Sequence, residues 1–137
     1  MEASRRKLMT MIAIGGVGAA AASGSATAAP AAPHSATLVH HVLFWLNNPG
    51  SAEDRAQLVA GLRTLAGIEV IRGLHIGVPA PTEAREVIDA SYDVSELMFF
   101  DSIADQKTYQ DHPLHQDFIA RHSHLWGKVV VYDTLRV

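Results

Sequence analysis

The amino-acid sequence predicts an α+β domain, because segments with two different hydrophobic periods alternate along it. Four largely apolar segments read as strands: 38–46, 70–78, 92–100 and 129–135. A helical period follows Ser51, and two more helical segments flank Pro113. The resulting order is strand, helix, strand, strand, helices, strand. That order is typical of a ferredoxin-like fold, an antiparallel sheet with helices on one face.

The opening strand is apolar on both faces. One face carries Leu38, His40, Val42, Phe44 and Leu46, and the other carries Val39, His41, Leu43 and Trp45. Helices cover only one face of such a sheet, so the second apolar face of a monomer would stay in water. An exposed apolar surface of that size indicates a protein partner. The sequence therefore predicts a homodimer.

Local signals set the limits of the first helix. Ser51 is a helix cap, with Asp54 three residues on as the acidic member of a capping-box-like start. Gly67 is placed to end the helix. Between them lies an apolar stripe that we expect to be buried: Leu58, Val59, Leu62, Leu65 and Ala66.

The ten residues from Tyr109 onward concentrate chemistry, and Pro113 determines their geometry. A residue before proline is pushed out of the helical region, while proline itself fits the first turn of a helix. We therefore expect one helix to end near residue 111 and a second to run from Pro113 to about Trp126. Tyr109 then lies just before the break and His115 just after it, so their side chains can converge. A phenol and an imidazole so placed could act as hydrogen-bond donor and general base.

The second of these helices favours a half-buried position for His115. Helical steps from it lead through a mostly apolar stripe: Phe118, Ile119, His122 and Trp126. His115 thus shares the face that should meet the body of the protein.

Two stretches of the chain resemble a known family. The opening strand reads His-Val-Leu-Phe-Trp over 41–45, and the later run is Tyr-x-x-His-Pro-x-His-x-x-Phe, with Tyr109, His112, Pro113, His115 and Phe118. Together with a closing hydrophobic strand at 128–135, they resemble the stress-responsive A/B barrel (Dabb) domains over roughly residues 38–137. The resemblance implies a dimeric α/β barrel, in which the sheets of two subunits face each other.

The resemblance also implies a site. Plant polyketide cyclases of this family use a tyrosine and a histidine at these motif positions as their acid–base pair. Carried over to this chain, His115 would take a proton next to a carbonyl group and Tyr109 would steady the enolate oxygen. We expect the substrate pocket to include His41, His75, His112, Phe118 and Trp126.

Each polar member of this set also has a structural interpretation. His41 and His75 could be strand histidines satisfied by local hydrogen bonds. The main role of His112 could be to form the helix break before Pro113. Tyr109 could pack beneath the break with its hydroxyl bonded to a backbone carbonyl, while His115 caps the second helix. Two hypotheses follow: a cofactor-independent cyclase, lyase or isomerase, or a non-catalytic dimeric stress or ligand-binding protein. In both, the ligand is a small, largely apolar carbonyl or aromatic compound.

A metal site is the third hypothesis. His112 and His115 are three residues apart, with Asp111, Asp117 and His122 nearby, and all are ligand types for divalent metals. The helix break spoils the shared face that this spacing needs, and there is no HExxH motif. The sequence also contains no serine elbow, Gly-rich phosphate loop or dinucleotide fingerprint. We therefore expect neither a metal nor a cofactor.

Composition narrows the class of protein further. The 137 residues, 48% hydrophobic and 18% charged, fit one small domain and a leader. The absence of cysteine excludes disulfides, thiolate metal sites and cysteine nucleophiles. Net charge is −3, and three of the eleven basic residues precede residue 8, so the body is more acidic still. An acidic body argues against nucleic acid as a partner.

The amino-terminal segment reads as an export signal. Arg5 and Arg6 form a twin-arginine motif, followed by a weakly apolar segment at 9–22 and an Ala-Thr-Ala cleavage site at 26–28. That segment is too short and too rich in glycine for a stable membrane anchor. We expect residues 1–28 to be a Tat signal peptide, 29–37 a flexible linker and 38–137 the domain. The Tat export machinery would then deliver a bacterial protein to the periplasm or the medium.

Overall fold

The computed structural model describes residues 36–137, so the predicted leader and most of the predicted linker lie outside it. The strands are β1 (Leu38–Leu46), β2 (Gly73–Gly77), β3 (Val94–Phe100) and β4 (Trp126–Leu135). The helices are α1 (Ala52–Thr64), α2 (Ile103–Asp111) and α3 (Pro113–His122), with short 3-10 turns at Leu65–Gly67 and Ser123–Leu125. The strands form one antiparallel sheet in the order β2-β3-β1-β4. The predicted ferredoxin-like fold, with helices on one face, is confirmed.

Strand β1 lies inside the sheet and pairs with both β3 and β4. Its residues alternate between buried and half-buried along the whole strand, as the sequence pattern predicts. The buried set of β1 lies under the helices together with alternate residues of β3: Val94, Glu96, Met98 and Phe100. We call this the inner face of the sheet, and the opposite side the outer face.

Helix α1 begins as predicted, because the Ser51 side chain accepts the Asp54 N–H. Leu58 and Leu62 are fully buried. The helix ends at Thr64, three residues before the predicted end, and a 3-10 turn follows. The tighter turn keeps Leu65 buried but rotates Ala66 to solvent, so the expected burial of Ala66 is wrong.

A glycine lets α1 and α3 approach closely. Gly61 is buried, and a Cβ atom built on it would lie 2.6 Å from Nε2 of His122. The His122 ring thus fills the space that a larger residue at position 61 would need. It is held there because His122 Nδ1 lies 3.0 Å from the Phe118 carbonyl oxygen and its ring stacks on that of Phe118.

The predicted extension of α3 to Trp126 is also wrong. The helix ends at His122, and the 3-10 turn after it buries Leu125. Trp126 is therefore the first residue of β4, where its ring packs on those of Phe44 and Phe118 at centroid distances of 5.0 and 5.7 Å. Tertiary packing on the sheet here overrides the helical period.

The second and third strands are shorter than predicted. Residues 68–71 form a turn, with the Ile71 N–H donating to the Ile68 carbonyl, so β2 begins only at Gly73. The Asp93 carboxylate accepts the backbone N–H of Leu46, and regular pairing of β3 begins at the next residue. No helix within residues 36–137 exceeds 13 residues, too few to cross a bilayer.

Candidate functional site

A cavity of about 200 Å³ lies between the inner face of the sheet and helices α2 and α3. Its apolar lining comes from Val42, Phe44, Phe118, Ile119, Trp126, Val129 and Val131. Its polar lining comes from His40, Glu96, Tyr109, Gln110 and His115. Val129 and Val131 share the inner face with Phe44 and Val42 yet remain 44% and 45% exposed. The cavity therefore opens along the edge strand β4.

The predicted helix break shapes one wall of this cavity. His112 has an extended backbone, with φ −65° and ψ 138°, and Pro113 occupies the first turn of α3. The Leu114 N–H donates to His112 Nδ1, so it does not reach the Gln110 carbonyl that it would bond in a continuous helix. His112 thus ends one helix and caps the next. Its ring is engaged by the backbone, away from the cavity.

The carbonyl freed by the break fixes the tautomer of His115. The Gln110 carbonyl oxygen lies 3.0 Å from His115 Nδ1. Because a carbonyl only accepts, Nδ1 carries the proton and Nε2 keeps its lone pair. Burial lowers the pKa of His115, more than the Gln110 hydrogen bond raises it, and the nearby His40 lowers it further. The imidazole is therefore neutral at neutral pH, as a general base must be.

Tyr109 packs against His115, with ring centroids 4.7 Å apart. It is 2% exposed, and burial raises the pKa of its phenol, with the nearby Glu96 adding to the effect. The hydroxyl therefore keeps its proton. It makes no hydrogen bond to another residue within 36–137, so the bond to a backbone carbonyl expected in the structural interpretation is not formed. The proton remains available to a ligand.

A second histidine borders the cavity from the sheet. His40 is buried on the inner face of β1, and its Nδ1 lies 2.5 Å from Oδ1 of Asp133 on β4. A carboxylate only accepts, so His40 carries a proton on Nδ1. The His40 ring lies 5.6 Å from the Tyr109 ring. Two imidazoles thus approach one phenol.

Glu96 contributes a carboxyl group to the cavity from the middle of β3. It is 1% exposed, and its Oε1 has no hydrogen-bond partner within the described residues. Burial raises the pKa of Glu96 to about 8. At neutral pH this side chain is an uncharged carboxylic acid, which can donate a hydrogen bond.

The residues predicted for the pocket divide into two groups. Phe118 and Trp126 line the cavity that Tyr109 and His115 border. His41 and His75 do not, because alternation places them on the outer face, where His41 Nε2 lies 2.8 Å from Ser95 Oγ. His40, on the other face of the strand, lies under the helices.

Three polar residues that line the cavity were not predicted from sequence: His40, Glu96 and Gln110. Glu96 had a visible signal, since it occupies the apolar phase of a strand between Val94 and Met98. The pairing of His40 with Asp133 had no comparable signal, because it joins two residues 93 positions apart and depends on the register of their strands. Within residues 36–137 no group of three metal-ligand side chains converges.

Fold and cavity together define a ferredoxin-like α+β domain with a small, mostly apolar pocket that carries acid–base side chains. The chain belongs to the stress responsive A/B barrel domain (Dabb) family, whose model matches residues 38–135. The comparison with curated proteins gave no match.

Solved structures share this fold at low sequence identity. A Dabb family protein from Mesorhizobium loti is 21% identical, with a TM-score of 0.61 over 74% of this chain and 98% of that one. A dimeric ferredoxin-like protein of unknown function from Thermobifida fusca is 20% identical, with a TM-score of 0.59 over 74% and 92%. A hydroxynitrile lyase from Passiflora edulis is 17% identical, with a TM-score of 0.62 over 75% and 95%. At these identities the likeness establishes the fold alone.

Proposed function

We propose that the domain binds a small, largely apolar carbonyl or aromatic compound in this cavity and transfers protons on it without a cofactor. The observation that carries the proposal is a pair of groups bordering one open cavity. One is a neutral imidazole, His115, whose tautomer leaves Nε2 as acceptor. The other is a protonated phenol, Tyr109, with no hydrogen-bond partner among the described residues.

The size and lining of the cavity suit a compact ligand. An apolar cavity of about 150 Å³ admits benzene, so about 200 Å³ accommodates one ring with small substituents. The lining is chiefly aliphatic and aromatic, with a few polar groups, as is usual for small-molecule sites. A compound with one polar end and an apolar body matches this distribution.

The chemistry follows from the two groups. His115 Nε2 would remove a proton from the carbon next to a carbonyl group, and the electron pair of that C–H bond would move onto the carbonyl oxygen. The Tyr109 hydroxyl would donate a hydrogen bond to the enolate oxygen so formed. The enolate would then collapse by taking the proton back on another atom, by closing a ring or by expelling a leaving group. These three outcomes correspond to isomerase, cyclase and lyase activity. A hydroxynitrile lyase shares the fold, so lyase activity has a precedent on it.

The competing proposal is a dimeric stress or ligand-binding protein without turnover. It is favoured by the tight packing of Tyr109, whose ring centroid lies 5.4 Å from that of Phe100 and 5.6 Å from that of His40. In that case the same residues only shape the pocket. Incubating the purified domain with a metabolite extract, followed by mass spectrometry of bound and altered compounds, separates the two proposals.

We further propose that the domain is a homodimer. The outer face of the sheet presents half-buried apolar side chains from β1 and β3: Val39, Leu43, Trp45, Leu97 and Phe99. No described helix covers that face, and a second copy of the sheet would. The dimeric description of the Thermobifida fusca protein supports this proposal.

Export remains a proposal that rests on sequence. The twin arginines, Arg5 and Arg6, and the cleavage site at 26–28 support a Tat signal peptide. A linker over 29–37 would then precede the domain in the periplasm or the medium. Thr37 at its end already donates its N–H to the Phe100 carbonyl and accepts the Arg136 N–H.

A further inference from the structure

The side chain of Glu96 is the least expected group in the cavity. It lies at the centre of the sheet, opposite Val42 on β1 and Ile76 on β2. The other inner-face residues of its strand are Val94, Met98 and Phe100. A carboxyl group in such a position is expensive unless something compensates it, and buried polar atoms are nearly always hydrogen-bonded.

No residue within 36–137 provides that compensation. Oε1 of Glu96 is fully buried and unpartnered, and no hydrogen bond joins this side chain to another described residue. The neighbouring polar groups do not supply one: His40 holds Asp133 through Nδ1, and His115 holds the Gln110 carbonyl. The side chain of Glu96 is one of the residues that line the cavity.

We propose that Glu96 is a specificity-determining residue, which binds a carbonyl or similar oxygen of the ligand through its carboxyl group. This inference rests on the proposed use of the cavity as a ligand site and names the ligand feature that the site selects. Because the carboxyl group is uncharged at neutral pH, it donates a hydrogen bond and does not repel the oxygen. Glu96 and Tyr109 are close enough to affect each other electrostatically. Two donors, one carboxyl and one phenol, thus line one cavity, and two donors can hold an oxygen that gains negative charge.

The test compares ligands of equal shape that differ only in the oxygen atom. Acetophenone and α-methylstyrene form one such pair, and cyclohexanone and methylenecyclohexane form another. Dissociation constants would be measured by NMR titration and by quenching of Trp126, which lines the cavity. The protein variants are Glu96→Met, which keeps the length and removes the donor, and Glu96→Gln, which keeps a donor. Glu83→Gln, in an exposed loop, is the matched control.

The ratio of ketone to alkene affinity is the readout, because it cancels general effects on the cavity. We expect Glu96→Met to lower this ratio by about tenfold or more, equivalent to about 1.4 kcal/mol, with alkene binding unchanged or stronger. Glu96→Gln should keep the ratio within about threefold of wild type, and Glu83→Gln should not change it.

Two other outcomes overturn the inference in distinguishable ways. Ketones and alkenes could both bind with the same ratio of ketone to alkene affinity in Glu96→Met as in wild type. The cavity would then be a ligand site in which Glu96 does not bind the ligand oxygen. If neither pair binds to wild type up to the solubility limit, the proposed ligand site and the role of Glu96 both fail. Thermal melts of each variant confirm that the folded protein is being compared.

Discussion

His40 and Asp133 lie directly opposite each other on β1 and β4, and a 2.5 Å hydrogen bond joins Nδ1 of the buried imidazole to Oδ1 of the half-exposed carboxylate. The bond fixes the His40 ring at the border of the cavity, next to Tyr109. It also ties the edge strand to the centre of the sheet by a side-chain contact in addition to the backbone ladder.

Removing this carboxylate should be more costly than removing an exposed one. Asp133→Ala leaves the buried Nδ1–H of His40 without its acceptor, so we expect a loss of about 1–3 kcal/mol in the free energy of unfolding. Asp117→Ala is the control, because it breaks only the exposed pair with Arg121 and should cost at most about 0.5 kcal/mol. Urea denaturation at neutral pH measures both. Equal losses in the two variants would contradict the structural role of the pair.

Tyr109→Phe and His115→Ala should separate function from folding. Both substitutions chiefly remove polar groups at the cavity wall, so we expect the free energy of unfolding to fall by about 1 kcal/mol. Ligand binding or turnover should fall tenfold or more. His124→Ala, at an exposed histidine, is the control and should change neither. If both variants melt several degrees lower with ligand binding intact, the two residues only brace the break at Pro113.

The role of His115 as general base predicts how turnover depends on pH. Burial lowers the pKa of His115 below its usual 6.5, so the neutral base persists into mildly acidic solution. Turnover should therefore fall on the acid side with a midpoint below 6.5, and His115→Ala should lose that limb. An acid limb that survives in His115→Ala would point to another base, and His40 is the nearest alternative.

Glu96 should make the protein less stable as pH rises. Its pKa is about 8 when folded and about 4.5 when exposed, so the unfolded chain gives up the proton first. The contribution of Glu96 to the free energy of unfolding is therefore most favourable below pH 4.5 and declines as the pH rises to about 8. At pH 7 the loss is roughly 3 kcal/mol. Glu96→Gln cannot titrate, so the stability difference between it and wild type should grow by that order between pH 5 and 8. Parallel urea-denaturation curves across this range would show that Glu96 is not a buried acid.

The outer face of the sheet predicts the oligomeric state. Residues 29–137 should sediment at about twice the monomer mass in the micromolar range. Leu43→Lys places a charge on the apolar outer face and should split the dimer, whereas Ala56→Lys on the exposed side of α1 should not. A soluble wild-type monomer at these concentrations would refute the barrel arrangement.

The features that were predictable from sequence are those that local chemistry decides. The alternation in β1, the cap at Ser51 and the break at Pro113 each depend on a few neighbouring residues, and all three were found as expected. The convergence of Tyr109 and His115 followed from the break. Other features depend on partners far along the chain. Trp126 belongs to β4 and not to the predicted helix, because packing on the sheet outweighs the helical period. The His40–Asp133 bond depends on strand register. Neither can be deduced from spacing.

The alternation in β1 has a consequence for how this protein can change. His40 and His41 are neighbours in sequence, yet one contributes to the cavity and the other to the outer face. Substitutions at even positions of the strand therefore change the side that carries the cavity, while those at odd positions change the outer face. If the proposed ligand site and dimer both exist, mutation can change one without disturbing the other. An insertion of one residue in this strand would exchange the two sets and lose both at once.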